Sequence, residues 1–307
     1  MTNHRAHIAI ITDDPGWHGE QLTQALDAHG LDSQYVSLTE CHFSLDDSEQ
    51  LINLPGFEDK LPLGVFVRGI PGGSLEQVIF RLDILHALNM HGITVYNDPK
   101  AIERTVDKVL TSFLLKRAGI PGPDTWICES KQQAEIICRQ EFNKGKRLVI
   151  KPIFGSQGIG IQLLEHHSEL DHDELFSGLF YLQSFIEREN NEWFDIRVFV
   201  IAGKAQAAML RRGTSWITNR AQGAQCEHYT LDDITSQLAE KAAGVLDIDY
   251  AGVDLIPDAD GNLQVIEVNS IPAWWGLQKV TEFNIASAII EHFVRRIREK
   301  STLAVIN

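Results

Sequence analysis

The sequence predicts an α/β protein whose first third holds a parallel sheet and whose remainder is rich in strands. Three observations carry this prediction. Short apolar runs alternate with helical repeats over roughly the first hundred residues, which is the pattern of strands joined by helical crossovers. Apolar, β-branched segments then recur from about residue 148 to 268. Glycine and proline clusters punctuate both regions at turn-like intervals.

In order along the chain, residues 7–12 form a first apolar strand. Residues 19–29 have helical spacing and end at Gly30, a residue suited to a helix C-terminus. Residues 64–68 (GVFVR) form a second strand, and Gly69-Ile70-Pro71-Gly72-Gly73 follows as a turn. Ser74 and Gln77 have capping-box spacing. Leu75, Val78, Ile79, Leu82, Leu85 and Leu88 give the next helix one apolar face, closed by Gly92. Residues 93–96 are a further strand. Asn97-Asp98-Pro99 opens a helical region, because proline fits the first turn, and a helix is expected over 105–118 before Gly119 and Pro121. Strands are expected at 148–153, 159–164, 180–186, 194–202, 204–211, 251–256 and 263–268, with helices near 233–246 and 284–299. The resulting domains are 1–97, 98–187 and 188–307.

The chain has 307 residues, with 44% hydrophobic and 22% charged, which is ordinary for a globular protein of two or three subdomains. No apolar run reaches the length of a membrane helix, and the N-terminal apolar run is too short for a signal-peptide core. The four cysteines form no CxxC pair, which fits a reducing, cytoplasmic setting. The net charge of −15 argues against nucleic acid as a partner. Neither composition nor length decides between a monomer and a homo-oligomer.

The stretch LVIKPIFGSQGIGIQLLE, 148–165, carries Lys151 ahead of Gly155, Ser156, Gln157, Gly158 and Gly160. A phosphate loop of the GxxxxGK[ST] kind needs its lysine after the glycines and a helix beyond, and the dinucleotide fingerprint also needs that helix. Here a strand follows. What remains is a hairpin with a glycine tip, whose backbone N–H groups can approach phosphate oxygens. On these residues alone, an ordinary glycine turn serves equally well.

AGVDLIPDADGNLQVIEVNS, 251–270, reads as a second hairpin turning at Asp260-Gly261. That register sets Asp254 across from Glu267, with Asn269 on the same side and Val253, Leu255, Ile266 and Val268 on the other. Two opposed carboxylates and an amide oxygen suit Mg²⁺ or Mn²⁺. A solvent-facing polar hairpin is the other reading. Asp195, Arg197 and Arg212 are expected to gather on one side of a third hairpin, either as a salt-bridge set or as an anion clamp. Lys108 alone reads as a solvated helix lysine, and Trp216 and Trp274-Trp275 as pocket or core.

Taken in order, Lys108, Lys151 with its glycine hairpin, LQSFIE at 182–187, DIR at 195–197, RR at 211–212, WITN at 216–219 and the D…ExN hairpin resemble the ATP-grasp superfamily, and within it the RimK-type carboxylate–amine ligases. The resemblance covers about residues 100–295. It implies an N-terminal pre-ATP-grasp domain followed by two ATP-grasp subdomains that clamp ATP. It implies that Lys108 and Lys151 hold the phosphates under the 155–160 lid. Gln183, Ser184, Phe185 and Ile186 would read adenine, with Glu187 or Asp195 near the ribose. Asp254, Glu267 and Asn269 would bind magnesium or manganese, and Arg212 and Asn219 would face phosphate and substrate, Arg212 and Lys151 serving catalysis.

The implied reaction joins an amine, L-glutamate or a similar amino acid, to a small-molecule carboxylate through an acyl phosphate. GGSLEQV, AIERTVDK and EVNSIPAWWGLQ look most like members that serve tetrahydromethanopterin- or methanofuran-type cofactors. Modification of a ribosomal or carrier-protein tail, and a non-catalytic ATP-binding regulatory module, are the alternatives. One departure is Gln222, at a position where such members often carry arginine; it bears on the acceptor.

Overall fold

The computed structural model describes residues 7–46, 50–153, 158–166, 170, 178–188, 192–220 and 223–306. The first layer alternates as expected: β1 (His7–Ile11), α1 (Gly16–Ala28), β2 (Asp32–Val36), the short pair β3 (His42–Phe43) and β4 (Ile52–Asn53), then β5 (Gly64–Val67), α2 (Leu75–Met90) and β6 (Thr94–Tyr96). Apart from the separate β3–β4 pair, the strands form one parallel sheet in the order β2-β1-β5-β6. β1 and β5 are central and nearly continuously buried, as parallel strands covered on both faces must be. β2 escaped the pattern because an edge strand tolerates the polar run DSQYV.

Ser74 and Gln77 cap α2 reciprocally, as their spacing predicts. The buried face of α2 differs slightly from the expected one. Ile84 joins Leu82, Leu85 and Leu88 inside, while Leu75 and Ile79 are exposed.

Asp98 caps α3 (Pro99–Val106), with Pro99 in the first turn. The single helix expected over 105–118 is broken. Asp107 is extended, and its side chain accepts from the backbone N–H groups of Val109 and Leu110, starting α4 (Lys108–Arg117). A side-chain acceptor at that point satisfies donors that a continuous helix would otherwise engage.

The second sheet comprises β7 (Thr125–Cys128), β8 (Leu148–Lys151), β9 (Gln162–Leu164) and β10 (Phe180–Ser184), ordered β7-β10-β8-β9 and antiparallel, with α5 (Lys131–Asn143) packed on it. The third is antiparallel as well. It contains β11 (Phe194–Ile201), β12 (Lys204–Arg212) and β13 (Gln225–Tyr229), then α6 (Asp233–Val245), β14 (Tyr250–Pro257) and β15 (Leu263–Asn269). Its order is β13-β12-β11-β14-β15, and α6 covers one face. α7 (Trp275–Gln278) follows, and α8 (Ile285–Ile306) returns to the first layer. There a Cβ on Gly64 would lie 2.6 Å from Ile297 Cδ1, so only glycine lets β5 approach α8 this closely.

The first and third sheets share one core. Tyr96 stacks on Tyr250 at 5.3 Å between ring centres, and Phe66 stacks on Tyr250 at 5.6 Å. Asn97 fastens the same junction. Its Nδ2 donates to Tyr250 O (2.8 Å) and Ser270 O (2.6 Å), and its Oδ1 accepts from Asp249 N (2.9 Å) and Tyr250 N (3.0 Å). Truncating this fully buried amide orphans several backbone groups, each costing about 1–3 kcal/mol. Asn97→Ala is expected to destabilise the protein by about 3 kcal/mol or more in urea unfolding; a change below about 1 kcal/mol would show that the junction does not depend on it.

Candidate active site

A deep cleft lies between the second and third sheets, with the start of α4 along one wall. Lys151, the last residue of β8, shares a sheet face with Gln183 of β10, and its Nζ donates to Gln183 Oε1 at 2.5 Å. Lys108, the first residue of α4, reaches the same wall and donates to Ile153 O at 2.8 Å. The break at Asp107 is what aims it there. Burial pushes the Lys151 ammonium down to about 8, with Glu267 opposing and Lys108 adding to the shift. Burial lowers Lys108 too, again opposed by Glu267.

The hairpin on β14 and β15 does set Asp254 against Glu267, but by a different route from the expected one. The connection, residues 258–262, closes around three residues and is organised by Asp258, whose backbone N–H donates to Asn262 O and whose carboxylate accepts from Asp260 N and Asn262 N. A bulge then restores the register: Leu255 pairs with Val265, and Ile266 is the extra residue. Leu255 and Val265 therefore enter the core, while Ile266 lines the cleft instead of facing away.

Asp254 is buried and held by two arginines. Arg197 Nε and Nη2 each approach a carboxylate oxygen at 2.6 Å, and Arg211 Nη2 lies 2.9 Å from Oδ2. Burial alone would raise this carboxyl; the guanidiniums outweigh it and hold it below the usual carboxylate range. Arg211 also forks onto Asp195 at 2.6 and 2.7 Å, and the Thr218 hydroxyl donates to Asp195.

Arg212, expected in this cluster, is not there. Adjacent residues of a strand face opposite sides, and Arg212 is exposed and paired with Glu227 at 3.0 Å. Arg211 takes the inner position, which the pairing of Asp195 with Arg211 on β11 and β12 dictates. Parity along that hairpin was the signal available in the sequence.

The far end of the cleft is apolar and aromatic. Phe185 meets Trp193 and Trp216 edge-on at 6.0 and 5.7 Å, with Ile159, Ile186 and Ile217 beside them. Gly158, in the left-handed region at φ +75°, also lines it, and a Cβ there would come within 2.9 Å of Ile217. Gly160 has the same φ. The rest of the expected lid, Gly155, Ser156 and Gln157, lies outside the described residues, as does Gln222.

Ser184 does not line the cleft, and its backbone N–H, like that of Phe185, is engaged, donating to Asp124 O and Arg147 O. Those two N–H groups are therefore not free to read a base. Glu187 does not line the cleft either, because Arg147 clasps it at 2.6 and 2.8 Å. Asp195, Asn219 and Arg188, the last unforeseen, do line it.

The lining cations Lys108, Lys151, Arg188 and Arg211 outnumber the carboxylates Asp195, Asp254 and Glu267, so the cleft favours a polyanion. The Glu267 side chain makes no hydrogen bond or ion pair among the described residues. Asn269 follows it on the same side of β15, with a buried Nδ2 that lacks a partner there. No group of three His, Cys, Asp or Glu side chains with metal-site geometry occurs among the described residues. The set fits a hard cation only when phosphate oxygens complete its shell. Glu267 is the carboxylate left open, and Asp254 retains little acceptor capacity beyond its arginines.

Residues 105–293 match the RimK-like ATP-grasp domain. The chain is 38% identical to the tetrahydromethanopterin:alpha-L-glutamate ligase of Methanocaldococcus jannaschii over 95% of its length and 99% of the relative. It is 30% identical to the enzyme of that name from Methanococcus maripaludis, with the same coverage of each. Among solved structures it is similar to the ATP-grasp ligase PsnB in complex with minimal precursor (TM-score 0.72, 20% identity, 95% of this chain and 99% of that one). A RimK domain ATP-grasp protein from Sphaerobacter thermophilus also shares the fold (TM-score 0.69, 19% identity, 94% and 99%). With its lysine pair, carboxylate hairpin and two facing sheets, the chain belongs to the RimK-like ATP-grasp family of ATP-dependent ligases.

Proposed function

We propose that this ligase couples the cleavage of ATP to ADP with attachment of L-glutamate to a carboxylate of a reduced, tetrahydromethanopterin-like pterin cofactor in a cytoplasmic setting. The observation that carries the reading is the end-to-end match to the archaeal relatives, which spans the N-terminal layer as well as the ATP-grasp portion. The cleft supports it with chemistry. The aromatic end suits a nucleoside base. Lys108 and Lys151 suit the phosphates, and Lys151 lies on the Glu267 side of the cleft, where its charge is felt.

In this reading an acceptor carboxylate oxygen attacks the γ-phosphorus, ADP leaves, and an acyl phosphate forms. The glutamate nitrogen then attacks the acyl carbon, phosphate leaves, and the amine gives up its protons as the amide forms. Both partners of the first step are anions, so the chain's cations lower the repulsion between them. Arg211 takes the role first given to Arg212, since Asp195 and Asp254 hold it rigidly at the cleft wall. Magnesium, or manganese, bound through Glu267 with Asn269 and Asp254 behind it, would supply further charge neutralisation to the phosphates. No protein nucleophile is required.

Three outcomes are expected. Incubating the protein with Mg²⁺, ATP, L-glutamate and reduced pterin cofactors that end in a carboxylate should yield ADP, phosphate and a mass gain of one glutamyl unit; Glu267→Gln should lose about 10²-fold or more in kcat while melting like the wild type. AMP and pyrophosphate as products would exclude the mechanism, and a fully active Glu267→Gln would exclude the cation assignment.

The third outcome concerns pH. The ammonium form of Lys151 binds phosphate, and that form is lost as pH rises through about 8. ATP affinity of the free enzyme should therefore weaken above that pH, and Lys151→Met should be weaker throughout and flatter over the same range. An identical pH profile in the variant would remove Lys151 from the phosphate site.

A further inference from the structure

Beyond the carboxylate hairpin, on the side of the first layer, two arginines have no anionic partner among the described residues. Arg68 directly follows β5 at the carboxyl end of the parallel sheet, the edge where open α/β sheets bind ligands. It is half-buried, and its Cζ lies 5.5 Å from the Trp274 ring centre. Asp14, whose charge it feels, is beyond ion-pair distance. Arg220 follows Thr218 and the cleft residue Asn219, and its Cζ stands 3.8 Å over Trp275. Neither guanidinium makes a hydrogen bond or ion pair among the described residues. Arg68 is partly withdrawn from water, and a desolvated guanidinium without an acceptor is costly unless something supplies one; Arg220 is exposed and open to a ligand.

The two are tied to one place by His18. Its Nε2 accepts from the backbone N–H groups of Trp274 (3.1 Å) and Trp275 (3.2 Å), and its ring packs edge-on against Trp274 at 4.6 Å. An acceptor nitrogen belongs to a neutral imidazole, and burial, then Arg68, then Arg220 push its pKa down to about 4. His18 thus pins the tryptophan turn to α1 without adding negative charge, and both guanidiniums lie close enough to act on it. By contrast, Arg197 and Arg211 are committed to Asp254 and Asp195.

We propose that Arg68 and Arg220, set around the Trp274–Trp275 turn, form a subsite that reads the non-reacting carboxylates of a substrate. This rests on the ligase reading, in which the lysine-lined part of the cleft is occupied by phosphate. An incoming glutamate carries two carboxylates that do not react, and a pterin acceptor with a dicarboxylate end carries one. Arginine forks match either by paired, charge-assisted hydrogen bonds.

The test measures KM separately for L-glutamate, acceptor and ATP in the full-length wild type, Arg68→Gln and Arg220→Gln. KM for one carboxylate substrate should rise about tenfold or more in both variants, with KM for ATP staying within about twofold of the wild type. The substrate whose KM moves is the one read here. Unchanged KM for both carboxylate substrates, or an equal rise for ATP, would overturn the subsite. Should Arg68→Gln fail to fold, Arg220→Gln, altered at an exposed side chain, decides the matter. If the wild type turns over none of these substrates, the ligase reading fails by itself. Calorimetric binding of glutarate then tests the subsite alone: weaker binding in the variants upholds it, and equal or absent binding in the wild type overturns it.

Discussion

The buried charge of Asp254 is the constraint around which the catalytic half is arranged. A carboxylate removed from water is costly unless it is paired and hydrogen-bonded. Here Arg197 reaches it from the neighbouring strand β11, and Arg211 reaches it from β12, one strand further on. Arg211 in turn needs Asp195, and Asp195 draws in Thr218. Three strands and the segment leading to Asn219 are thereby locked into one register. Glu267, directly across from Asp254, is left open toward the cleft. The network thus separates a carboxylate that holds the wall from one that is free to meet a ligand.

The remaining architecture positions two other surfaces against that wall. The second sheet and the segment after it contribute Lys151 and Gly158, and the interruption at Asp107 turns Lys108 toward the same space. The first sheet is joined to the third by the Tyr96–Tyr250 stack and the Asn97 clamp. This junction brings α1, with His18, onto the tryptophan turn that follows the carboxylate hairpin. Phosphate chemistry and substrate recognition can therefore occupy opposite sides of one rigid hairpin. α8, last in the chain, closes the layer that began it, packing on Gly64 of β5.

Much of this was legible in the sequence. The parallel first sheet follows from apolar runs such as HIAII and GVFV, and the facing of Asp254 and Glu267 follows from strand pairing, although a bulge and a longer loop cancelled to give it. What stayed hidden is what pattern alone cannot carry. The choice between Arg211 and Arg212 depends on which strand face turns inward, and two adjacent arginines look alike in one dimension. The edge strand DSQYV lacks an apolar signature because its sheet edge does not demand one. Glu187 left the site because of Arg147, forty positions earlier, a long-range pairing with no local trace. That Arg68 finds no anionic partner among the described residues is a property of the folded neighbourhood as well.

The proposed reaction turns on an acyl phosphate made from a substrate carboxylate at the Lys151–Glu267 site. Acceptor labelled with ¹⁸O in its carboxylate tests this most directly, with phosphate recovered after turnover in the presence of ATP and L-glutamate. One labelled oxygen per phosphate is the predicted result, since the bridging oxygen leaves with phosphorus when the amine attacks. Unlabelled phosphate alongside labelled amide would contradict the account, because it would mean that the acceptor carboxylate never bonded to the γ-phosphorus.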